Sequence, residues 1–569
     1  MNRVRLAFLL LLVALLACAA PPATVIQPVA PVGPTGSPTV MISTTAVSTQ
    51  TPIATSTAAP TPEPSATAVP RPVWQNPPDP AMRDTAVSAN AAFYSLLPEN
   101  SGLWQFVGGS FWHPIALAVN DTTAFLLDGG RVLALDMRRS TPLTVLLQPG
   151  DVVENLVVQE PLDLALVGAE LLVLDRVGDV YALDLAAKTW RLEQSLRPIG
   201  ETSSHYFVAL GHDAASGDVR LRLETSYSYA QTFFADGRQR LWSLPEAVLP
   251  VDISGVADQV YVLWRNPDRT ATVALFQETM RLAAFAPTVD ITQPRQIVAT
   301  ETAVYVLDQA GQRLLSLQPQ TGALQAVVQL PEVTTFAANP AANPAGDQLV
   351  LAGRDRLYFW QQPENGRFVP AGPILTAPQP HDTAVWHSPL AYTWPISGDY
   401  LDLTPRDLQM PGAPRHYRLG IHEGTDFYWA NGTPVYAAAA GTVIRATVDY
   451  ERPSQITFDY RRAENIELSY TTPENLDFYR GMQLWILQED GFVARYAHLS
   501  AIAEGVEMGT AVTAGQQIGL IGNTGSPASP RSETEDAHLH LEVWLDDSYL
   551  GQFLRPIETR ELLEQRFTP

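Results

Sequence analysis

Residues 416–441 read HYRLGIHEGTDFYWANGTPVYAAAAG, and His422 and Asp426 form an H-x-x-x-D pair in this stretch, with Gly424 between them. Side chains alternate between the two faces of an extended strand, so these three residues are predicted to share one face. Gly424 has no side chain and would leave open space between an imidazole and a carboxylate. Nitrogen and oxygen ligands in such an arrangement suit a zinc ion. An isolated H-x-x-x-D pair is common by chance, so further residues are needed to indicate a metal site.

Two later segments contain further histidines in a strand-like pattern. The segment AHLHLEVW at 537–544 alternates polar and apolar residues, which predicts a strand with His538 and His540 on one face. His498 lies between the two motifs, in RYAHLS at 495–500. Each motif alone also fits a half-buried strand whose histidines face solvent. However, four of the ten histidines fall into three short motifs of one region, which favours a shared metal site.

The order of these motifs resembles that of the lysostaphin-type (LytM-like) zinc endopeptidases, which cut peptidoglycan. The matching segments are H-x-G-x-D at 422–426, GTPVYAAAAGTV at 432–443, YAHLS at 496–500, GLIGNTG at 519–525 and HLHLEV at 538–543. The resemblance covers roughly residues 389–558, which is under a third of the chain.

The resemblance implies a role for each matching position. His422, Asp426 and His540 are implied to be the three zinc ligands, with one zinc per chain. Three protein ligands leave one position for water, which is the mark of a catalytic zinc site. His498 and His538 are implied to flank this water, one as general base and the other stabilising the oxyanion. The sequence does not distinguish which of the two histidines has which role.

Two insertions depart from the pattern of the family and make the shape of the groove uncertain. The first spans residues 449–495 and the second spans residues 527–536. Both connect strands that carry site residues, so both are expected at the rim of the groove. Glu542 follows His540 on the same predicted face. It is expected either to hydrogen-bond a ligand imidazole or to be exposed to solvent.

Residues 73–385 have the composition of a folded β protein with recurring alternating runs. These runs are RVLALD at 131–136, DVYALD at 179–184, QVYVLW at 259–264, AVYVLD at 303–308 and RLYFW at 356–360. They recur about every 40–50 residues, a period typical of four-stranded propeller blades, with one longer gap that residues 218–223 are expected to fill. Six or seven degenerate blades are predicted, and a pair of β-sandwiches is the alternative. A binding or spacing role is expected, with an unknown ligand or protein as partner.

The first residues indicate export. Residues 1–17, MNRVRLAFLLLLVALLA, are predicted to be a signal peptide, because a basic start precedes an apolar run too short for an ordinary membrane span. LLAC at 15–18 resembles a bacterial lipobox, which implies lipidation of Cys18; an ordinary signal peptide with an incidental cysteine is the alternative. Cys18 is the only cysteine, so an internal disulfide is excluded. The Pro/Thr/Ser-rich residues 18–72 are predicted to be a linker.

Charge limits the partners. The chain has 36 basic and 59 acidic residues and a formal net charge of −23, without a basic cluster, so nucleic acid is not expected as a partner. Membrane attachment through the N-terminal lipid and contact with peptidoglycan are expected instead. The predicted location is the outer side of the cell membrane, facing the periplasm or the cell wall.

The sequence therefore predicts a mainly β protein: a β-propeller-like domain at 73–385 followed by an antiparallel β-sheet, LytM-like zinc peptidase domain at 386–569. The predicted function is zinc-dependent cleavage of the peptide cross-links of peptidoglycan, with a metal-activated water as nucleophile. The alternative is a non-catalytic envelope protein that binds peptidoglycan or activates amidases.

Overall fold

The computed structural model describes residues 94–97, 103–106, 113–361 with several gaps between strands, 386–390 and 409–568. Cys18, the predicted signal peptide and the predicted linker lie outside the described residues. Within these ranges, no helix has both the length and the apolar character that crossing a membrane requires.

The described residues between 94 and 361 form mainly β-strands. In chain order, the strands are β1 (Tyr94–Leu97), β2 (Leu103–Phe106), β3 (Pro114–Val119), β4 (Thr123–Asp128), β5 (Arg131–Asp136), β6 (Thr144–Leu147), β7 (Val152–Val153), β8 (Leu156–Val157), β9 (Pro161–Val167), β10 (Glu170–Asp175), β11 (Asp179–Asp184), β12 (Thr189–Ser195), β13 (Phe207–Asp213), β14 (Val219–Glu224), β15 (Tyr229–Phe234), β16 (Gln239–Ser243), β17 (Leu249–Val256), β18 (Gln259–Arg265), β19 (Ala271–Gln277), β20 (Met280–Phe285), β21 (Pro294–Ala299), β22 (Val304–Asp308), β23 (Arg313–Leu317), β24 (Leu324–Gln329), β25 (Thr335–Ala338), β26 (Gln348–Ala352) and β27 (Leu357–Gln361).

These strands build a closed ring of antiparallel sheets. Five sheets each contain four consecutive strands: β3–β6, β9–β12, β13–β16, β17–β20 and β21–β24. The sixth sheet has the order β1-β2-β27-β26-β25, so the first strands of the domain complete the blade made by the last ones. The first strands of neighbouring blades contact one another in the circular order β3, β9, β13, β17, β21, β25 and back to β3. The described residues thus form a six-bladed β-propeller.

The blades share a signal that the sequence analysis missed. A proline stands at or near the start of the first strand in four blades, and the pairing with the second strand shifts at this point: Pro114, Pro161, Pro250 and Pro294. In two blades an aspartate follows two residues later and accepts an N–H from the next blade, Asp163 from Leu210 and Asp252 from Ile297. The P-x-D pattern therefore marks the joint between blades.

The chain from residue 386 onward forms a second β domain. Its elements are β28 (Trp386–His387), β29 (Pro414–Arg415), β30 (Gly420–Ile421), β31 (Gly424–Tyr428), β32 (Pro434–Tyr436), β33 (Gly441–Ala446), α1 (Gln455–Leu468), α2 (Pro473–Arg480), β34 (Leu484–Gln488), β35 (Val493–Ala497), β36 (Leu499–Ile502), β37 (Ala511–Val512), β38 (Gln517–Ile521), β39 (His538–Leu545), β40 (Ser548–Tyr549), α3 (Pro556–Arg566) and β41 (Phe567–Thr568).

An antiparallel seven-stranded sheet is the centre of this domain. Its order is β31-β39-β35-β34-β33-β37, with β40 paired to β39, and a three-stranded sheet β32-β38-β36 accompanies it. Apolar side chains such as Phe427, Ile486 and Leu539 are fully buried in its core. The predicted fold class, mainly β with a propeller-like domain before an antiparallel peptidase-like sheet, is confirmed. The first insertion contains α1 and α2.

Helix α3 docks on the propeller, at the face where the first strands of the blades begin. Ile557 packs into the apolar cluster that β17 to β23 form. Arg555, just before the helix, donates to the carbonyl oxygens of Ile115 and Thr334 in two different blades. Three glutamates, each three residues apart, pair with propeller side chains: Glu558 with His113 and Arg295, Glu561 with Arg265 and Arg295, and Glu564 with Arg265 and Arg269.

Candidate metal centre

Three neighbouring strands bring the predicted site residues together. In the pairing of β31 with β39, Asp426 is opposite His540 and Tyr428 is opposite His538. On the other side of β39, Ala497 of β35 pairs with His540, which places His498 at the end of the adjacent strand. The predicted strand at His538–Leu545 is observed. The alternating pattern of this segment therefore fixes which side chains share the site.

Three donor atoms converge in the buried centre of the site. The Nε2 atom of His422 lies 2.9 Å from Oδ1 of Asp426 and 2.9 Å from Nδ1 of His540. The third edge of the triangle, between Nδ1 of His540 and Oδ1 of Asp426, is 2.8 Å long. All three side chains are buried. These are the residues of the predicted ligand set, and they form a group with the geometry to hold one metal ion.

The surroundings of Gly424 differ from the expectation. The strand β31 begins at Gly424, so His422 precedes it by two residues. A Cβ atom at position 424 would lie 2.6 Å from the carbonyl oxygen of Leu541 and 2.9 Å from the ring of His540. The glycine therefore allows β39 to approach closely, and the predicted open space beside it is absent.

The hydrogen bonds outside the triangle define the tautomers of the two ligand histidines. Nδ1 of His422 lies 2.9 Å from the carbonyl oxygen of Met410, which can only accept, so Nδ1 carries the proton. Nε2 of His540 likewise donates to Oε1 of Glu542 at 3.0 Å. In these neutral tautomers, two nitrogen lone pairs and a carboxylate oxygen point at one another. This arrangement requires a cation, and its donor set of two imidazoles and one carboxylate fits catalytic zinc.

The pKa values of the site residues also indicate a site for a cation. Burial alone would raise the pKa of Asp426, but the imidazoles of His422 and His538 hold this pKa well below its usual range. Burial lowers the pKa of His540, but hydrogen bonds to Asp426 and Glu542 outweigh burial and raise this pKa to about 9. The pKa of His422 falls to about 3, first through burial and then through the charge of Arg415. The triangle as a whole favours one bound positive charge, which a proton or a metal ion can supply.

His498 and His538 donate from the same ring atom to a backbone carbonyl. Nδ1 of His498 donates to the carbonyl oxygen of Thr524 at 2.6 Å, and Nδ1 of His538 donates to that of Asp536 at 2.7 Å. In the neutral form of either ring, Nε2 is therefore the nitrogen that can accept a proton. The Nε2 atom of His538 lies 3.8 Å from Oδ1 of Asp426.

The two flanking rings are close to each other as well as to the ligands. Their centroids are 4.6 Å apart in an edge-on arrangement, and the His498 centroid lies 5.5 Å from that of His540. Burial, together with the neighbouring His538 and His540, lowers the pKa of His498 well below its usual value. His498 is therefore neutral at physiological pH.

The residues around the ligands include two arginines that the sequence analysis did not assign to the site. Arg415 donates to the outer oxygen of Asp426 at 2.8 Å. Glu542 is fully buried and hydrogen-bonds the ligand His540, which is the first of the two alternatives expected for it. Arg480 donates to both carboxylate oxygens of Glu542, at 2.6 and 2.8 Å. A buried carboxylate needs a charged partner, but nothing in the local sequence identifies which arginine supplies it.

Two aromatic residues form the solvent side of the site. Tyr428 stacks on His538 with a centroid distance of 4.6 Å and an interplanar angle of 24°. Tyr428 and the adjacent Trp429 are each 41% exposed. A separate cavity of about 560 Å³ lies between the propeller and the second domain, and the five predicted site residues do not line it. Through its stacking on His538, the exposed Tyr428 links the buried histidines to the protein surface.

Residues 420–551 match Peptidase family M23, so this part of the chain is an M23 (LytM-like) peptidase domain. The sequence is similar to the peptidoglycan DD-endopeptidase ShyA of Vibrio cholerae, with 31% identity over 155 residues, 27% of this chain and 26% of that protein. It is also similar to an uncharacterized metalloprotease of Buchnera aphidicola, with 27% identity over 142 residues, 25% of this chain and 27% of that protein. The chain thus spans about a quarter of the length of each relative.

Solved structures with similarity to the chain include a virginiamycin B lyase from Staphylococcus aureus, at 12% identity and a TM-score of 0.31, covering 44% of this chain and 94% of that one. BamB from Moraxella catarrhalis has 14% identity and a TM-score of 0.27, and covers 46% of this chain and 79% of that one. The propeller assignment above depends on the sheet topology alone.

Proposed function

We propose that this chain, with its M23 domain at 420–551, is a zinc-dependent endopeptidase that cleaves the peptide cross-links of peptidoglycan. The convergence of His422, Asp426 and His540, with the rings of His498 and His538 beside them, is the observation that carries the proposal. The similarity to a peptidoglycan DD-endopeptidase supports the substrate class.

The residues of the site divide the chemistry between them. His422, Asp426 and His540 would hold a zinc ion, which when bound supplies Lewis-acid polarisation of the scissile carbonyl and of the attacking water. In its neutral form, His498 or His538 can take the proton of the water at Nε2 and return one to the leaving amine. The carbonyl oxygens that accept from their Nδ1 atoms also stabilise the protonated rings.

Zinc content and peptidoglycan digestion test this proposal together. Purified protein should contain about one zinc per chain and should release new amino and carboxyl termini from isolated peptidoglycan, measured by mass spectrometry. His422→Ala, Asp426→Ala and His540→Ala should each lose the zinc and the activity. His498→Ala and His538→Ala should keep the zinc and lower turnover by about 10²–10⁴.

His387→Ala is the matched control, because this histidine is exposed on β28, outside the site. It should keep both zinc and activity. Full zinc occupancy in the three ligand variants would contradict the ligand assignment. Zinc binding without any cleavage would instead favour the non-catalytic alternative, a protein that binds peptidoglycan or activates amidases.

The proposal includes export and lipid anchoring at Cys18, which the sequence alone supports. Cys18→Ser should release the protein from the membrane fraction or block its processing, because the lipid would be the attachment. The measurement is the distribution between membrane and soluble fractions of cells that express the full chain. Membrane association of a correctly processed Cys18→Ser protein would contradict lipid anchoring.

A further inference from the structure

The insertion helices α1 and α2 are fixed to the propeller at the turn between them. Ser469, which ends α1 with a positive φ of 65°, receives three hydrogen bonds from propeller residues. Its Oγ accepts from the backbone N–H of Val157 at 3.0 Å. Its carbonyl oxygen accepts from Nε2 of Gln159 at 3.2 Å and from the guanidinium of Arg197 at 2.9 Å. The propeller therefore determines where α2 begins.

The other end of α2 contacts the metal centre. Arg480, its last residue, holds Glu542 through two hydrogen bonds, and Glu542 accepts the Nε2–H of the ligand His540. The carbonyl oxygen of Arg480 also accepts the backbone N–H of His498 at 2.9 Å. His498 has a φ of 60°, which is unfavourable for a residue with a side chain, so this backbone bond helps to hold it. Arg480 thus joins a ligand histidine and a flanking histidine.

The junction after α2 leaves little room for movement. A Cβ atom on Gly481 would lie 2.3 Å from the carbonyl oxygen of Thr524, the same oxygen that accepts from His498. A Cβ atom on Gly525 would lie 2.3 Å from the carbonyl oxygen of Tyr479. The end of α2 and the loop around Thr524 are therefore in direct backbone contact, and a displacement of one moves the other.

We propose that Arg480 is a positioning residue of the metal centre and that α1 and α2 couple the propeller to this centre. The proposal rests on the proposed function and gives the first insertion a role other than the predicted one at the rim. Without the Arg480 side chain, the buried carboxylate of Glu542 loses its bidentate partner and keeps only Trp544 and the longer contact with Arg495, both at Oε2. Oε1, which accepts from His540, then has no arginine beside it, so the ring of His540 is held less firmly. Loosening Ser469 at the propeller end shifts the same helix and has a smaller effect.

Zinc affinity of the full chain, measured by competition with a chromophoric chelator, tests the positioning role. Arg480→Ala should weaken zinc binding by about 10–100-fold, the range found when a partner of a metal-ligating side chain is lost. Arg480→Lys should give an intermediate loss, because lysine keeps the charge but cannot make both hydrogen bonds. The absorption spectrum of the cobalt-loaded protein should change in both variants.

Arg191→Ala is the matched control. Arg191 forms a similar bidentate pair with Glu170 in the propeller sheet β9–β12, at 2.7 and 3.0 Å, and this pair is partly exposed and lies outside α1, α2 and the metal centre. Its zinc affinity should equal that of the wild type. Gln159→Ala tests the propeller end and should weaken zinc binding by about 2–10-fold, a typical coupling for a distant site.

The outcomes separate this proposal from the proposed function. A wild type that binds zinc but does not cleave peptidoglycan contradicts the proposed function, and the comparison of zinc affinities still decides the role of Arg480. Wild-type affinity in Arg480→Ala overturns the positioning role. If that variant does not fold, wild-type affinity in Arg480→Lys overturns it instead. Wild-type affinity in Gln159→Ala overturns the coupling to the propeller.

Discussion

Asp175, at the end of β10, is a buried carboxylate that organises the part of the propeller nearest the peptidase domain. It accepts backbone N–H bonds from Gln159, Glu160 and Val177. Burial and then the negative charge of Asp179 raise the pKa of Asp175 to about 6. The folded protein therefore keeps a proton on this side chain at a pH where the unfolded chain has lost it.

This shift predicts how stability depends on pH. Because the pKa of Asp175 is about 4 in the unfolded chain, the folded state binds more protons between pH 4 and 6, and its contribution to stability falls as pH rises through this window. In Asp175→Asn the contribution is absent. The unfolding free energy of the wild type minus that of the variant should fall by about 2 kcal/mol between pH 4 and pH 7.

Urea unfolding of the metal-free proteins at pH 4, 5, 6 and 7 measures this difference. Titration of the histidines is common to both proteins and cancels in the comparison. A difference that stays constant from pH 4 to 7 would show that Asp175 does not titrate in this range.

Prediction from sequence works for single residues where a motif is local. His422 with Asp426, and His538 with His540, are close in sequence and could be assigned together. Arg480 could not be assigned, because its partner Glu542 is 62 residues away and many arginines of the chain could have filled the place. Charge alone indicates that a partner is needed but does not identify it.

At the scale of elements, the ends of the insertion helices could be read from sequence, but their position could not. Ser454 caps α1 through its side chain, and Thr472 caps α2 with Pro473 at its first turn, as such residues commonly do. The rim position predicted for the insertion is wrong for Arg480, which is buried beneath the site. The helices are held by propeller residues about 270–310 positions earlier, and no local pattern contains this information.

The propeller blades show a similar limit. The recurring runs predicted the architecture, but those at 131–136, 179–184 and 356–360 belong to third strands of their blades, whereas those at 259–264 and 303–308 belong to second strands. Both kinds of strand are central and buried and so have the same alternation. The long gap arises because none of these runs lies in the blade β13–β16, and β14 (Val219–Glu224) occupies the gap as the second strand of that blade.

In the whole molecule, the propeller holds the peptidase domain through contacts with several of its segments. His416 of the peptidase hydrogen-bonds the carbonyl oxygen of Val177, and Tyr549 donates to Glu160 at 2.6 Å. Helix α3 covers the propeller face where the first strands begin. An unknown ligand or protein as partner of the propeller stays a prediction. Such a partner would bind the propeller surfaces that α3 does not cover.

This docking predicts that the two domains unfold together. Glu561 lies between Arg265 and Arg295, and all three side chains are buried. Glu561→Gln removes one negative charge, and Arg265 and Arg295 then keep only Glu564 and Glu558 as acidic partners, at 3.6 and 3.5 Å. This loss should destabilise the docked state by about 2 kcal/mol. Scanning calorimetry should show one transition for the wild type, because neither domain is released while the interface is intact. The variant should show two transitions, one for each domain, with the first at a lower temperature.

Glu504→Gln, at an exposed position of the peptidase domain, is the control and should behave as the wild type. Two separate transitions in the wild type would mean that the charged interface does not couple the domains, and the propeller would then be an independent module on the same chain.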